Sequence, residues 1–182
     1  EKNDNQIFSH QNNDKFIFDK ANVFSNLKFE AHLEKYSLYK NCDIYYSEDM
    51  KTDITISEIH NFMNKNIPLH KEIVISIKAD VNSKIKDKVY IAKCNEDSTF
   101  SYKGKTWRDG KLSAKTRSFG KYTIIADTIK PEINNFKFSR THNKFGNKGS
   151  ISINIYDFES GISFYRGEID GKWILMEYDH KK

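Results

Sequence analysis

Gly120-Lys-Tyr-Thr-Ile-Ile-Ala-Asp-Thr-Ile-Lys-Pro-Glu-Ile133 decides the fold. Its first half alternates. Tyr122, Ile124 and Ala126 fall on one side of an extended chain, and Lys121, Thr123 and Ile125 on the other. Successive strand side chains point to opposite faces, so this period of two marks a half-buried strand. Its second half is a joint. The residue before a proline is pushed to extended geometry. The strand therefore ends near Ala126, a short straight link follows, and a new strand starts at Pro131.

The same alternation recurs outward from this stretch. Ile73, Ile75 and Ile77 alternate with Val74, Ser76 and Lys78, and Ile151, Ile153 and Ile155 with Ser152, Asn154 and Tyr156. Further strands are expected at 15–18, 27–33, 43–46, 53–56, 88–93, 133–138, 162–169 and 172–178. They are short, rich in Ile, Tyr and Phe, and separated by Asn, Asp, Gly and Ser. The best helical stretch, 54–64, lacks clean helical spacing, and Pro68 follows it. The expected fold is all-β, with two consecutive immunoglobulin-like antiparallel β-sandwiches. Residues 1–127 form the first. Residues 128–182 form a partial second, with about four strands, too few to close a sandwich. Its remaining strands are expected beyond Lys182.

Composition narrows the function classes. The chain has 182 residues, 37% hydrophobic and 14% aromatic, so small aromatic-rich cores are affordable. The net charge of +5 permits an anionic partner such as a glycan or membrane surface. No arginine-rich stripe with interleaved aromatics occurs, which argues against nucleic-acid readout. Cys42 and Cys94 are too few for a disulfide framework and too far apart for a metal knuckle; two buried free thiols are expected, with a single disulfide as the alternative in an oxidising compartment. No apolar run is long enough for a transmembrane helix. Glu1-Lys-Asn-Asp-Asn5 lacks the apolar core of a signal peptide, so the chain reads as an internal piece of a longer protein.

The last third holds the densest set of motif residues. In Asp157-Phe-Glu-Ser160-Gly161, a calcium-binding carboxylate competes with a local turn. Asp157 and Ser160 would cap backbone amides while Gly161 supplies a positive φ. The turn is the simpler reading. Tyr165-Arg166-Gly-Glu-Ile-Asp170-Gly171-Lys-Trp173 reads as a hairpin closed on Asp170-Gly171, because a type I′ turn needs φ > 0 at both central residues. Tyr165 would pack on Tyr178, just before Asp179. Arg166 and Lys172 would pair across the hairpin with Glu168 and Glu177. Trp173 reads as a core plug beside Ile174 and Met176, with an exposed aromatic that stacks on a sugar as the alternative. Trp107, in the polar loop Gly104-Lys-Thr-Trp-Arg108-Asp-Gly110, is the better candidate for a contact surface, with Arg108 beside it, although folding back over a sandwich edge is the simpler reading. His70 reads as a strand-entry residue that hydrogen-bonds locally.

Two segments, 120–133 and 157–179, resemble the non-catalytic C-terminal region of Gram-negative zinc peptidoglycan endopeptidases, the lysostaphin-like metallopeptidases. Pro68-Leu-His-Lys71 leading into 73–78, and 103–110 followed by Ser118-Phe-Gly120, add to the resemblance, which spans about 16–179. The family holds zinc with a His-x-x-x-Asp pair and a later His-x-His, leaving an open position for water. Here His10-Gln-Asn-Asn-Asp14 fits the first pattern but lacks the family's internal glycine, and no His-x-His occurs. His32, His60, His70, His142 and His180 are scattered.

The resemblance therefore implies a segment that is not itself an enzyme. No catalytic, cofactor-binding or metal residue is expected in it, and the zinc would sit in an upstream peptidase domain of the same chain. The expected function is an accessory or interaction region of a cell-envelope metallopeptidase, located in the periplasm, at the outer membrane or outside the cell. Its expected partners are the upstream domain and cell-wall glycan or envelope proteins. A free-standing adhesin-like or matrix-binding sandwich is the alternative, since sandwiches host many functions.

Overall fold

The computed structural model describes residues 15–143 and 146–179. The described residues are nearly all β, with 54% of them in strands and no α-helix among them. The strands run β1 Lys15–Phe16, β2 Asn22–Ser25, β3 Phe29–Leu33, β4 Cys42–Asp43, β5 Tyr46–Asp49, β6 Ile59–Phe62 and β7 Pro68–Ile77. They continue with β8 Val89–Cys94, β9 Phe100–Gly104, β10 Thr106–Arg108, β11 Lys111–Ser118 and β12 Gly120–Ala126. The last four are β13 Glu132–Asn143, β14 Gly146–Tyr156, β15 Gly167–Ile169 and β16 Lys172–Ile174. One short 3-10 turn, Lys86–Lys88, precedes β8. The structure divides into two compact units, Glu1–Thr128 and Ile129–Lys182.

The first unit is a sandwich of two five-stranded antiparallel sheets. One runs β10-β11-β7-β3-β2 and the other β5-β6-β12-β8-β9, with β1 and β4 forming a separate pair. Alternation sets what each strand buries. Phe29, Ala31 and Leu33 of β3, Ile73, Ile75 and Ile77 of β7, and Leu112 and Ala114 of β11 line one inner face. Phe62, Val89, Ile91, Tyr122 and Ile124 line the other. The centre is aromatic. The Phe62 ring lies 6.0 Å from Phe16, 5.4 Å from Phe24, 5.2 Å from Phe29 and 5.5 Å from Phe119, in tilted or edge-on geometries that aromatic quadrupoles favour.

Several strands differ from the sequence reading. Residues 53–56 were expected extended, but Thr55 Oγ1 accepts the Thr52 amide at 2.9 Å and the segment turns. Thr side chains offer the backbone such local alternatives to a ladder. Residues 103–110 are not a loop. Asp109 (φ 48°) and Gly110 (φ 75°) close a hairpin between β10 and β11. This is the same Asp-Gly signal that closes β15 and β16 at Asp170 (φ 50°) and Gly171 (φ 75°). Cys42 and Cys94 are both free and half-buried, and burial raises both thiols above the ordinary cysteine range.

The second unit consists of two ribbons, β13–β14 and β15–β16. The longer one carries a bulge. Asn134 faces Asn154 and Lys137 faces Ser152, so Asn135 and Phe136 together oppose Ile153. Asn135 takes the left-handed conformation, φ 53°, which asparagine tolerates better than most residues.

Candidate functional site

The bulge at Asn135 decides which side chains share a face. In Ile133-Asn-Asn-Phe136-Lys-Phe138 the apolar residues stand three and then two apart, which strict alternation would split between faces. The extra residue restores the phase. Ile133 pairs with Ile155 and Phe138 with Ile151, and Phe136 lies opposite Ile153. Six apolar side chains therefore share one face. The other face carries Glu132, Asn134, Lys137, Ser139, Ser150 and Ser152. There the Ser139 and Ser150 hydroxyls lie 2.6 Å apart, and the Tyr156 hydroxyl donates to Glu132. Ile133 and Phe136 are each 67% exposed and Phe138 59%. An amphipathic ribbon with its apolar face this open is a candidate contact surface.

The motif residues of the last third fall into place around the ribbons. Asp157 Oδ1 accepts the amides of Glu159 at 2.9 Å, Ser160 at 3.0 Å and Gly161 at 3.2 Å, and Gly161 has φ 76°. The carboxylate is engaged in a turn of the Asx type. Tyr165 and Tyr178 stack at a tilt, with ring centroids 6.2 Å apart, and Asp179 lies exposed beyond them. Arg166, just ahead of β15, pairs with Glu168 of that strand, Nε to Oε1 at 2.6 Å, rather than across the hairpin. Trp173 is 60% exposed instead of forming a core plug. It pairs with Glu168 in a two-stranded ribbon that is short of the three strands needed to build a core.

Trp107 stands on edge strand β10, half-buried against the core. Its indole N–H donates to the Lys86 carbonyl at 3.2 Å, and the Lys86 ammonium lies 4.9 Å from the ring centroid. The cation occupies a face that a sugar would need. Arg108 beside it is exposed. His70 does not bond locally: its Nδ1 lies 3.3 Å from the hydroxyl of Tyr39, and its carbonyl accepts from Arg117 at 2.8 Å, both more than 30 residues away.

His60 is fully buried in the sandwich, and sequence reasoning gave it no role. The Tyr46 hydroxyl is 2.6 Å from Glu48 Oε1 and 2.7 Å from His60 Nδ1. Its single proton goes to the carboxylate, so His60 must donate Nδ1–H to the phenolic oxygen. That leaves Nε2 as a bare lone pair, buried without a partner. Burial holds the imidazole down at about 4, against the opposing pull of Glu48 and Glu58. Burial, followed by the Glu48 hydrogen bond, pushes the Tyr46 phenol well up. Glu58 is held below the usual carboxylate range, chiefly by the Lys28 ammonium at 2.6 Å.

Among the described residues, no three His, Cys, Asp or Glu side chains converge as metal ligands. His10 and Asp14, the formal zinc-like pair, and His180 lie outside the described residues. Among the described residues, no helix is long and apolar enough to cross a membrane.

Comparison with known proteins gives one family. A family model described as the Zu5-like domain matches residues 13–127, the span of the sandwich. No curated protein matches the chain.

Proposed function

Because the chain belongs to the Zu5-like domain family, we propose that it is a non-catalytic interaction region, in which the sandwich is a rigid base and residues 129–179 offer a contact surface. The observation that carries this reading is the bulge-phased ribbon face, with Ile133, Phe136 and Phe138 open to solvent. We further propose the accessory role in a cell-envelope zinc metallopeptidase, on the resemblance of 120–133 and 157–179. In that setting zinc belongs to an upstream domain, and the partners are that domain, cell-wall glycan or envelope proteins in the periplasm, at the outer membrane or outside the cell.

Co-sedimentation with purified peptidoglycan sacculi tests the envelope role. The chain is expected to pellet with sacculi, and Phe136→Ser with Phe138→Ser to remain in solution while the sandwich stays folded by circular dichroism. Equal pelleting of the double variant would remove the ribbon from the interaction. A parent sequence without His-x-x-x-Asp and His-x-His upstream would favour the adhesin-like alternative over the peptidase setting.

A further inference from the structure

The corner where β11 turns into β12 gathers hydroxyls and the cations of Lys93, Lys103 and Lys65, of which Lys65 alone has an ion-pair partner, Glu96, among the described residues. β8 and β12 pair so that Lys93 faces Tyr122, and both point into the inter-sheet space. The Lys93 ammonium donates to Ser118 Oγ at 2.7 Å. The Tyr122 hydroxyl, fully buried, donates to the Ser118 carbonyl, and Thr116 Oγ1 lies 2.9 Å from the same phenol. Those bonds commit the Tyr122 and Thr116 protons to the interior.

Ser118 Oγ is different. It accepts from Lys93, and among the described residues its own proton has only Tyr122 Oη at 3.4 Å and Thr116 Oγ1 at 3.5 Å within reach, both long. Lys93 likewise keeps two N–H bonds beyond the one given to Ser118.

Gly120 makes room for this group. A Cβ there would lie 3.1 Å from Lys93 Cε and 3.9 Å from Lys65 Cβ. Its φ of 137° also favours glycine. Burial, then the charges of Lys103 and Lys65, lowers the Lys93 amine below its ordinary value. Lys65 pairs with Glu96, but no ion pair forms to Lys93 or Lys103 among the described residues. Like charges brought together and partly desolvated without a counter-ion carry a standing electrostatic cost, which an anion would remove.

We infer that this corner is a binding site for a single oxyanion group, a carboxylate or a phosphate. The anion would take two N–H donors from Lys93 and the O–H of Ser118, within the field of Lys103. This site is separate from the ribbon face and does not depend on it.

The test uses the full chain with lysine side chains labelled with ¹³C. Inorganic phosphate and acetate are titrated separately at constant ionic strength, with chloride as the balancing ion. A saturable shift of the Lys93 ε-methylene signal is expected with at least one of them, and the anion that saturates identifies the source. Lys103→Met, at a half-buried position, is expected to weaken binding at least fivefold. Ser118→Ala should weaken it while leaving the Lys93 signal dispersed. Lys71→Met, elsewhere in the sandwich, should bind as wild type. Shifts that rise linearly and equally for both anions would overturn the proposal, as would unchanged affinity in both Lys103→Met and Ser118→Ala.

Discussion

His60 shows how one side chain can set the acid tolerance of the whole sandwich. It titrates near 6.5 when unfolded and at about 4 when folded. Between these values the unfolded chain holds the extra proton, so lowering the pH favours unfolding. Stability is therefore intact above about pH 6.5, falls as the pH drops toward 4, and loses nothing further to this residue below that. The loss reaches about 2 kcal/mol by pH 5, taking ~1.4 kcal/mol per unit. Urea midpoints measured from pH 7.5 to 5 check this, and His60→Phe should flatten the dependence. The carboxylates that Lys28 and Lys111 hold low, Glu58 and Glu30, matter only in more acid solution, because their stabilisation is lost as they protonate below their ordinary range. At the same scale, Phe62→Ala should cost about 3–5 kcal/mol, since four neighbouring rings would line the cavity. A guanidinium melt at neutral pH measures it.

At the scale of elements, the bulge in β13 is the feature most open to a decisive substitution. Asn135→Val places a β-branched residue at a left-handed φ and should cost ~1–3 kcal/mol of local stability, whereas Asn135→Gly should be tolerated. Hydrogen exchange of the amides along β13 and β14 reads the difference.

The bulge also shows what the sequence could reveal. Strands with alternating isoleucines, β7 and β14, are plain from their residues, and so is the tyrosine-isoleucine alternation of β12. The Asp-Gly turn at Asp170 was legible for the same reason, because its chemistry is local. β11, Lys-Leu-Ser-Ala-Lys-Thr-Arg-Ser, was not. Its small polar residues are buried because Ser113 meets Ser76, 37 residues away, at 2.8 Å, and Thr116 meets Tyr122 across the turn into β12. The Lys93–Ser118 corner was hidden in the same way, since those residues come from different strands. The ribbon face left one visible trace, the three-residue step from Ile133 to Phe136.

At the scale of the molecule, the two units should differ in resistance to opening. The sandwich buries most of its apolar side chains between sheets, while the ribbons of 129–179 leave theirs open. Lower hydrogen-exchange protection is expected in 129–179 than in 15–127, and equal protection would contradict it.

The placement of β12 has a further consequence, in time. β12 sits between β6 and β8, yet it is the last sandwich strand along the chain. A ribosome releases the N-terminal strands first, at ~5–20 residues per second, so several seconds separate the emergence of Phe62 from that of Gly120. During that interval β6 and β8 have no common neighbour, and Phe62 and Ile91 lack the strand that closes over them. The nascent chain thus passes through a stage with two adhesive edges exposed, and its yield depends on how well those edges are shielded until the closing strand arrives.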